Sequence, residues 1–264
     1  MKSIVVANWK MNPASFREAK KLFDAERKAA EKARGVSVVV APPAIFLREL
    51  SSLYRGSKIA FSAQNAHFDV DGAHTGEISL LQVKDARAKF VLVGHAERRA
   101  EGETDDDTRK KVAAALSLKL APILCVGEAR RTDEGEQFEA VREQLRAGLA
   151  DVAASALSRV LLVYEPLWTI GKEETMDPHE MHQMAIFMRK CVVESHGEAG
   201  LRHAKAGSGL AQAGRNMKIL YGGSIEERNA AAMLRDGDIH GFLVGRASAN
   251  AIEFAKLLRA IEIA

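Results

Sequence analysis

The chain has 264 residues, of which 47% are hydrophobic and 28% are charged, and its formal net charge is +3. This composition suits a globular protein with one large domain, and the near-balanced charge gives no reason to expect nucleic acid as a partner. Cys125 and Cys191 are too few for a disulfide framework or a zinc site, and no apolar run has the length of a signal peptide or a membrane span. We therefore expect a cytoplasmic protein with no membrane partner.

Short apolar runs alternate with amphipathic segments along the whole chain. The predicted strands cover residues 4–9, 36–41, 58–63, 90–93, 122–126, 160–164, 218–221 and 241–244. The predicted helices cover residues 13–33, 44–52, 78–86, 105–118, 134–152, 178–195, 225–235 and 249–261. Apolar strands that alternate with helices are typical of a parallel sheet covered by helices. Eight such units without a break in composition predict one α/β domain over residues 1–264, folded as a closed (β/α)8 barrel.

Polar residues follow several of the predicted strands. Asn8 and Lys10 follow the first strand, His95 the fourth and Glu165 the sixth. In a barrel of parallel strands the carboxyl ends meet at one mouth, where functional residues collect. A buried strand that ends on a carboxylate points to a use for it, because an unpaired buried charge is costly. When this segment is considered alone, a structural role for Glu165, in a salt bridge under a turn, is an equally good interpretation.

One segment does not fit the regular spacing. Residues 197–214 are rich in Gly and Ala and are longer than a usual connection between a helix and a strand. A surface excursion is the favoured interpretation of this insert, and a partner-binding arm is the alternative.

An ordered set of short motifs covers nearly the whole chain. The motifs are NWKMN at 8–12, AQN at 63–65, GAHTGEIS at 72–79, GHAERR at 94–99, CVGE at 125–128, YEPLW at 164–168, YGGS at 221–224 and GFLVG at 241–245. In this order they resemble the triosephosphate isomerase family. The resemblance implies a TIM barrel that isomerises glyceraldehyde 3-phosphate and dihydroxyacetone phosphate, in glycolysis and gluconeogenesis, without a metal or organic cofactor.

The resemblance implies a catalytic role for each polar residue at the barrel mouth. Glu165 would be the base, and His95 a neutral hydrogen-bond donor to the substrate carbonyl, a tuning for which this family is itself the usual example. Lys10 would offset negative charge on the enediolate and the phosphate, while Asn8 would orient the substrate oxygen. Glu97 would pair with the lysine and assist proton transfer, although a purely structural ion pair is an equally good interpretation.

The resemblance also implies a phosphate site made of backbone N–H groups. These groups belong to Gly171, Ser224 and Gly245, and Arg246 stands where the family has a second glycine. A short helix after the eighth strand would add its N-terminal dipole.

A lid over residues 166–176 is implied as well. Closing this lid would exclude water and place Glu165 between Ile170 and Leu243, a motion for which the family is again a standard example. Lys172-Glu173-Glu174 replaces a small, glycine-containing hinge, so we expect slower lid motion with preserved activity. Ala96 replaces a serine that holds the glutamate when the lid is open, which leaves the resting position of Glu165 in question.

The long loop after the third strand resembles the dimer arm of the family. Thr75 would insert into a second subunit, and Gln64 and Glu103 match interface positions, so a homodimer is expected. His74 replaces an aromatic residue at the tip of the arm, a change expected to make the interface mildly pH-sensitive. An ordinary solvent-exposed loop is the alternative.

Two other functions remain open at the level of sequence. One is an isomerase of a longer sugar phosphate, such as a tetrulose phosphate, which would use the same catalytic residues. A pocket discriminates only weakly between substrates that differ by one hydroxymethyl group. A catalytically inactive paralogue kept as a binding protein is the other alternative.

Overall fold

The fold is an eight-stranded parallel barrel, as predicted. The computed structural model describes residues 2–132, 134–172, 175–200 and 216–264. Its strands are β1 (Ser3–Asn8), β2 (Val36–Ala41), β3 (Ile59–Ala63), β4 (Phe90–Val93), β5 (Ala121–Val126), β6 (Leu161–Tyr164), β7 (Lys218–Tyr221) and β8 (Gly241–Val244). Each strand pairs in parallel with the next, and β8 pairs with β1, which closes the ring.

Helices cover the outside of this ring. Within the described residues they are α1 (Phe16–Lys32), α2 (Ala44–Leu53), α3 (Leu80–Asp85), α4 (Ala96–Ala100), α5 (Asp105–Ser117), α6 (Glu136–Gly148), α7 (Pro178–Gly200), α8 (Glu227–Asp236) and α9 (Ala251–Glu262). Short 3₁₀ helices occupy Ala154–Arg159, Leu167–Thr169 and Arg246–Ala249. Among the helices described, none combines the length and the hydropathy needed to cross a bilayer.

The strands are buried on both faces, which explains their unbroken apolar sequences. One set of side chains, which includes Val6, Val39, Leu92 and Ile123, packs together inside the barrel. The alternate set packs against the helices. Cys125 belongs to the inner set, where burial raises the pKa of its thiol. Packing therefore accounts for this cysteine, which is held as an unreactive thiol.

Helix ends differ from the predicted ones where a local cap decides them. Helix α1 begins at Phe16 and not at Pro13, because the side chain of Ser15 accepts a hydrogen bond from the N–H of Glu18. Helix α6 ends at Gly148, four residues before the predicted end, and a 3₁₀ helix follows.

The Gly/Ala-rich insert begins inside a helix. Helix α7 continues to Gly200, beyond the predicted end at 195, so residues 197–200 are helical in their backbone. Residues 201–214 of the predicted insert lie outside the described residues, and its two interpretations remain predictions.

A fully buried carboxyl group lies behind the first strand. The Oε1 atom of Glu26, in α1, accepts a hydrogen bond of 3.0 Å from the indole Nε1 of Trp9. Its Oε2 atom is buried and has no hydrogen-bond partner among the residues that the structure describes. Burial raises the pKa of the Glu26 carboxyl well above its ordinary value, and the bond from Trp9 only partly opposes this shift. The folded protein therefore holds Glu26 in its protonated form over the acidic range.

This burial predicts a pH-dependent stability difference between the parent and Glu26→Gln. Folding raises the pKa of Glu26. Its contribution to the free energy of unfolding is therefore complete below the unfolded-state pKa of 4.5, and it is lost as the pH rises towards the folded-state pKa. Glutamine keeps an acceptor for Trp9 and does not titrate. As the pH rises above about 5, Glu26→Gln should gain stability relative to the parent, by up to about 1.4 kcal/mol for each pH unit until the folded value is passed. Urea unfolding at several pH values measures this difference, and a difference that stays constant with pH would contradict it.

Candidate active site

A cavity of about 390 Å³ opens at the carboxyl ends of the strands. Ten of the residues singled out from the sequence line it together. They are Asn8, Lys10, His95, Glu165, Ile170, Gly171, Ser224, Leu243, Gly245 and Arg246. Residues far apart in the chain thus meet in one place because all strands run parallel and the ring is closed.

His95 is the N-cap of the short helix α4. Its Nδ1 atom accepts a hydrogen bond of 3.3 Å from the backbone N–H of Glu97. That nitrogen therefore carries no proton, and the neutral ring presents an Nε2–H group to the cavity. The ring thus faces a backbone N–H group of the first turn of α4.

Glu165 lies at the end of β6 and is 2% exposed. Its Oε1 atom is 3.3 Å from His95 Nε2, and its Oε2 atom accepts a hydrogen bond of 2.9 Å from the backbone N–H of Ala96. The main chain at the start of α4 thus binds the carboxylate, although position 96 has no hydroxyl group. This contact answers the question that the replacement of serine raised about the resting position of Glu165.

Two glycines leave room for Glu165. A Cβ atom on Gly127 would lie 1.9 Å from the carbonyl oxygen of Glu165, and one on Gly222 would lie 2.9 Å from its Cγ atom. Any larger residue at either position would push against the strand end or the side chain. Close approach of the backbone, and not only turn geometry, explains these glycines.

Asn8 and Lys10 extend into the cavity from the end of β1. The backbone N–H of Lys10 donates to Asn8 Oδ1 at 3.0 Å, which turns the Nδ2 group of Asn8 towards His95, 3.5 Å from its Nε2 atom. Lys10 has a φ of 52°, a left-handed conformation that is unusual outside glycine. Its ammonium group forms an ion pair with Glu97, at the cavity edge.

Gln64 supports this strained segment. Its Nε2 atom donates to the carbonyl oxygens of Lys10, at 2.9 Å, and of Ala41, at 2.8 Å. Gln64 therefore ties the end of β1 to the end of β2. These intrachain contacts give it a structural role in addition to the predicted interface role.

The predicted lid contacts the loop that follows β7. The Oγ atom of Ser224 donates to the carbonyl oxygen of Lys172 at 2.8 Å, and Thr175 Oγ1 donates to the carbonyl oxygen of Ser224 at 2.9 Å. The N–H of Met176 donates to the hydroxyl of Tyr221 at 3.3 Å. Glu173 and Glu174 of the predicted charged hinge lie outside the described residues, so the expectation for this hinge remains a prediction.

A buried carboxylate anchors the start of the lid. Glu128 Oε1 accepts hydrogen bonds from the hydroxyl of Tyr164 at 2.8 Å and from Nε1 of Trp168 at 2.9 Å. Arg131 lies 3.4 Å from the same oxygen. Burial raises the pKa of Glu128 and that of the Tyr164 hydroxyl. Glu128 Oε1 thus fixes both Tyr164, at the end of β6 before Glu165, and Trp168, in the loop after it.

The outer part of the cavity contains residues that the sequence did not reveal. They come from the loop and helix after β7 and from the segment after β8, and they are Ile225, Glu226, Glu227, Ala247, Asn250, Glu253 and Leu257. Four of them, Glu226, Glu227, Asn250 and Glu253, are polar residues at helix starts, where such residues are common, so no sequence signal distinguishes them.

The predicted interface residues lie outside this cavity. Thr75 is exposed on the long loop after β3. Glu103 is buried, and its Oε1 atom accepts a hydrogen bond of 3.0 Å from the N–H of Gly94, next to His95. Within this single chain Glu103 thus supports the turn after β4, and its interface role stays a prediction.

Comparison with known proteins gives a consistent result. A family model described as triosephosphate isomerase matches residues 3–261. The triosephosphate isomerase of Endomicrobium trichonymphae is 35% identical over 260 residues, which cover 98% of each chain. That of Granulibacter bethesdensis is 36% identical over 262 residues, 98% of this chain and 99% of the relative. That of Xylella fastidiosa (strain M12) is 39% identical over 260 residues, 97% of this chain and 98% of the relative.

The contacts of Glu128 predict unequal effects of two substitutions. Glu128→Leu would leave the hydroxyl of Tyr164 and the indole N–H of Trp168 without their acceptor, and should lower the free energy of unfolding by about 2–4 kcal/mol. Glu128→Gln keeps a carbonyl acceptor and should cost about 1 kcal/mol or less. Urea unfolding measures both values. Equal losses in the two variants would show that the shared acceptor does not anchor the lid.

Proposed function

The chain belongs to the triosephosphate isomerase family, and we propose that Glu165 and His95 carry out its reaction. That reaction is the interconversion of glyceraldehyde 3-phosphate and dihydroxyacetone phosphate, an aldose–ketose isomerisation of glycolysis. The observation that carries the proposed roles is the pairing of a buried carboxylate with a neutral imidazole, with 3.3 Å between Glu165 Oε1 and His95 Nε2. Both groups line a cavity that also contains a cation and backbone donors suited to a phosphorylated substrate.

In the proposed mechanism Glu165 removes a proton from the carbon next to the substrate carbonyl. The electron pair of the broken C–H bond forms the C=C bond of an enediolate, and the negative charge develops on the carbonyl oxygen. The Nε2–H group of His95 donates a hydrogen bond to this oxygen. The hydroxyl proton of the enediolate then passes to the former carbonyl oxygen, and Glu165 returns its proton to the neighbouring carbon. The hydroxyl oxygen becomes the new carbonyl oxygen, so the reaction needs no oxidant or reductant.

Lys10 and Asn8 stabilise the charge that develops. The ammonium group of Lys10 lies at the cavity edge, where it attracts both the enediolate oxygen and the phosphate dianion. The Nδ2 group of Asn8 faces His95 and adds a donor to the same oxygen. Glu97 holds the ammonium in place through its ion pair, and with 55% of its side chain exposed we assign it a positioning role.

Backbone N–H groups bind the substrate phosphate in this proposal. Gly171 comes from the lid, Ser224 from the loop after β7, and Gly245 and Arg246 from the start of the 3₁₀ helix after β8. N–H groups at a helix N-terminus favour an anion, because they lack partners within the helix. Arg246 is exposed, so its side chain remains free to face solvent while its N–H contributes.

The lid excludes water from the enediolate. Ile170 and Leu243 line the cavity beside Glu165 and supply apolar surface around the carboxylate. An open site would allow the enediolate to expel phosphate before it is reprotonated. Contacts between Ser224 and both Lys172 and Thr175 give the lid a docking surface.

The two alternative functions are not favoured. Relatives that match nearly the full length bear the name triosephosphate isomerase, which supports the three-carbon reaction over a four-carbon one and over an inactive paralogue. Comparing kcat/KM for three- and four-carbon sugar phosphates distinguishes the triose phosphate isomerase from an isomerase of a four-carbon substrate.

We also propose that the protein is a cytoplasmic homodimer. Met11, which follows Lys10, has 94% of its surface exposed in the single chain, which is unfavourable for a large apolar residue beside a functional site. Thr75 is exposed on the arm that would reach a second subunit. A partner that covers Met11 would bury this apolar surface and support Asn8 and Lys10 from outside.

Substitution of the proposed base tests the mechanism. Glu165→Gln keeps the size of the side chain but cannot take up a proton, so kcat in a coupled isomerase assay should fall about 10²–10⁴-fold. Glu143→Gln, on the exposed side of α6, is the control and should leave kcat unchanged. An active parent with an equally active Glu165→Gln variant would rule out Glu165 as the base. An inactive parent would rule out the proposed isomerisation itself.

A charge at Met11 tests the dimer. Met11→Glu would place a carboxylate in the proposed apolar contact, and sedimentation velocity should show a mass shift from dimer to monomer at micromolar concentration. Ile263→Glu is the matched control, because Ile263 is 84% exposed at the end of α9, and this variant should remain a dimer. A monomeric parent, or a Met11→Glu variant that dimerises like the parent, would contradict the proposed interface.

A further inference from the structure

Three potential metal ligands meet on the long loop after β3, away from the barrel mouth. They are His67, Asp69 and His74, and their nearest ligand atoms all lie within 4.8 Å of one another. The two ends of this loop are joined, since the N–H of His67 donates to the carbonyl oxygen of Ile78 at 2.8 Å. The proposed isomerisation uses none of these three side chains.

The spacing of the three groups is close to that of a metal site. Asp69 Oδ2 is 3.0 Å from His74 Nε2 and 3.7 Å from His67 Nδ1. Two ligands bound to the same tetrahedral ion at about 2.1 Å lie about 3.4 Å apart. Rotation of the exposed Asp69 and His74 side chains would bring both distances to this value. The carboxylate oxygen thus already lies between two imidazole nitrogens.

The surroundings hold the two imidazole rings in place. The rings of His67 and His74 stack with their centroids 4.1 Å apart, and Phe68 stacks on His67 with its centroid 4.3 Å away. Gly72 lies under the ring of His74, where a Cβ atom would come within 3.2 Å of it. These contacts limit the orientations of both rings, which reduces the side-chain entropy lost when an ion binds. The stack must open as the ion binds, because the electron pair of each nitrogen lies in the plane of its ring.

The protonation of His67 also suits a metal. Its Nδ1 atom accepts a hydrogen bond of 3.0 Å from the backbone N–H of Asp69, so this nitrogen carries an electron pair and no proton. An ion would replace this N–H as the partner of the electron pair. His74 needs its proton on Nδ1, so that its Nε2 electron pair faces the carboxylate side.

We propose that His67, Asp69 and His74 form a site for a divalent late transition-metal ion such as Zn²⁺, Co²⁺ or Ni²⁺. Two imidazole nitrogens and one carboxylate oxygen are ligands that these ions prefer, whereas Mg²⁺ and Ca²⁺ prefer oxygen ligands alone. Water would complete the coordination, because Asp69 and His74 are both partly exposed.

The local charge is compatible with a cation. Asp69 supplies one negative charge directly to the site. Lys110 lies over the Phe68 ring, 5.0 Å from its centroid, but its ammonium group is paired with Asp106 at 2.7 Å. Its repulsion of a bound ion is therefore partly offset.

Such an ion would link residues five and seven positions apart within the arm. It would fix the tip next to Thr75, the residue proposed to reach a second subunit. This is a structural site on the arm, separate from the isomerase chemistry, and its occupancy does not depend on whether Glu165 is the base.

Zinc binding to the full-length protein tests the site. The protein is first freed of metal with EDTA and desalted, and Zn²⁺ is then titrated by isothermal calorimetry. We expect the parent to bind one ion per chain. The variants His74→Gln and Asp69→Asn should each bind Zn²⁺ at least about tenfold more weakly than the parent. Co²⁺ in place of Zn²⁺ should give a visible absorption spectrum typical of nitrogen and oxygen ligands, which the two variants lose.

His182→Gln is the matched control. His179 and His182 are another exposed pair of histidines, three residues apart on α7. Binding at the arm does not involve them, so His182→Gln should keep the affinity and the stoichiometry of the parent. Unfolding midpoints in EDTA check that each variant is folded. A parent that binds no Zn²⁺ at about millimolar concentration would overturn the proposal, as would equal binding by the parent, His74→Gln and Asp69→Asn.

Discussion

The closure of a ring of parallel strands is the constraint from which the site follows. Because β8 pairs with β1, every strand points its carboxyl end to the same mouth. Side chains from the ends of β1, β4 and β6 therefore meet there, and contacts such as those of Glu165 with Ala96 and of Lys10 with Glu97 join their loops. The apolar interior beneath them excludes water from the floor of the cavity, so the polar groups at the mouth interact in surroundings where hydrogen bonds and charges are strong.

The alternation of side chains along β1 explains how two functional residues are held from behind. Asn8 and Lys10 face the cavity, while Trp9 between them points outwards and is bound by Glu26 of α1. Gln64, which follows β3, binds the carbonyl oxygen of Lys10. The left-handed backbone at Lys10 is thus supported on two sides, which is what a strained residue needs in order to persist.

Much of the fold and of the site could be predicted from the sequence, because the relevant signals are local. The predicted bounds of β2, β4, β7 and β8 agree with the structure at both ends, since strands buried on both faces are continuous apolar runs. The start of α1 was misplaced because proline is common early in a helix, whereas the cap of Ser15 decides the position. Glu26 could not be recognised as buried, because a glutamate within an amphipathic helix usually faces water. The cluster on the arm depends on how a loop folds back on itself, and side-chain types alone do not specify that.

The bond between Glu165 and the main chain at Ala96 has an evolutionary consequence. A hydrogen bond given by a side chain is lost when its codon changes, but an N–H group of the backbone is present in every residue except proline. A protein that lost a hydroxyl group at position 96 would still keep the backbone hydrogen bond to the carboxylate of Glu165. Other small residues at position 96 would therefore keep this hydrogen bond, whereas a change at a side-chain donor would remove it.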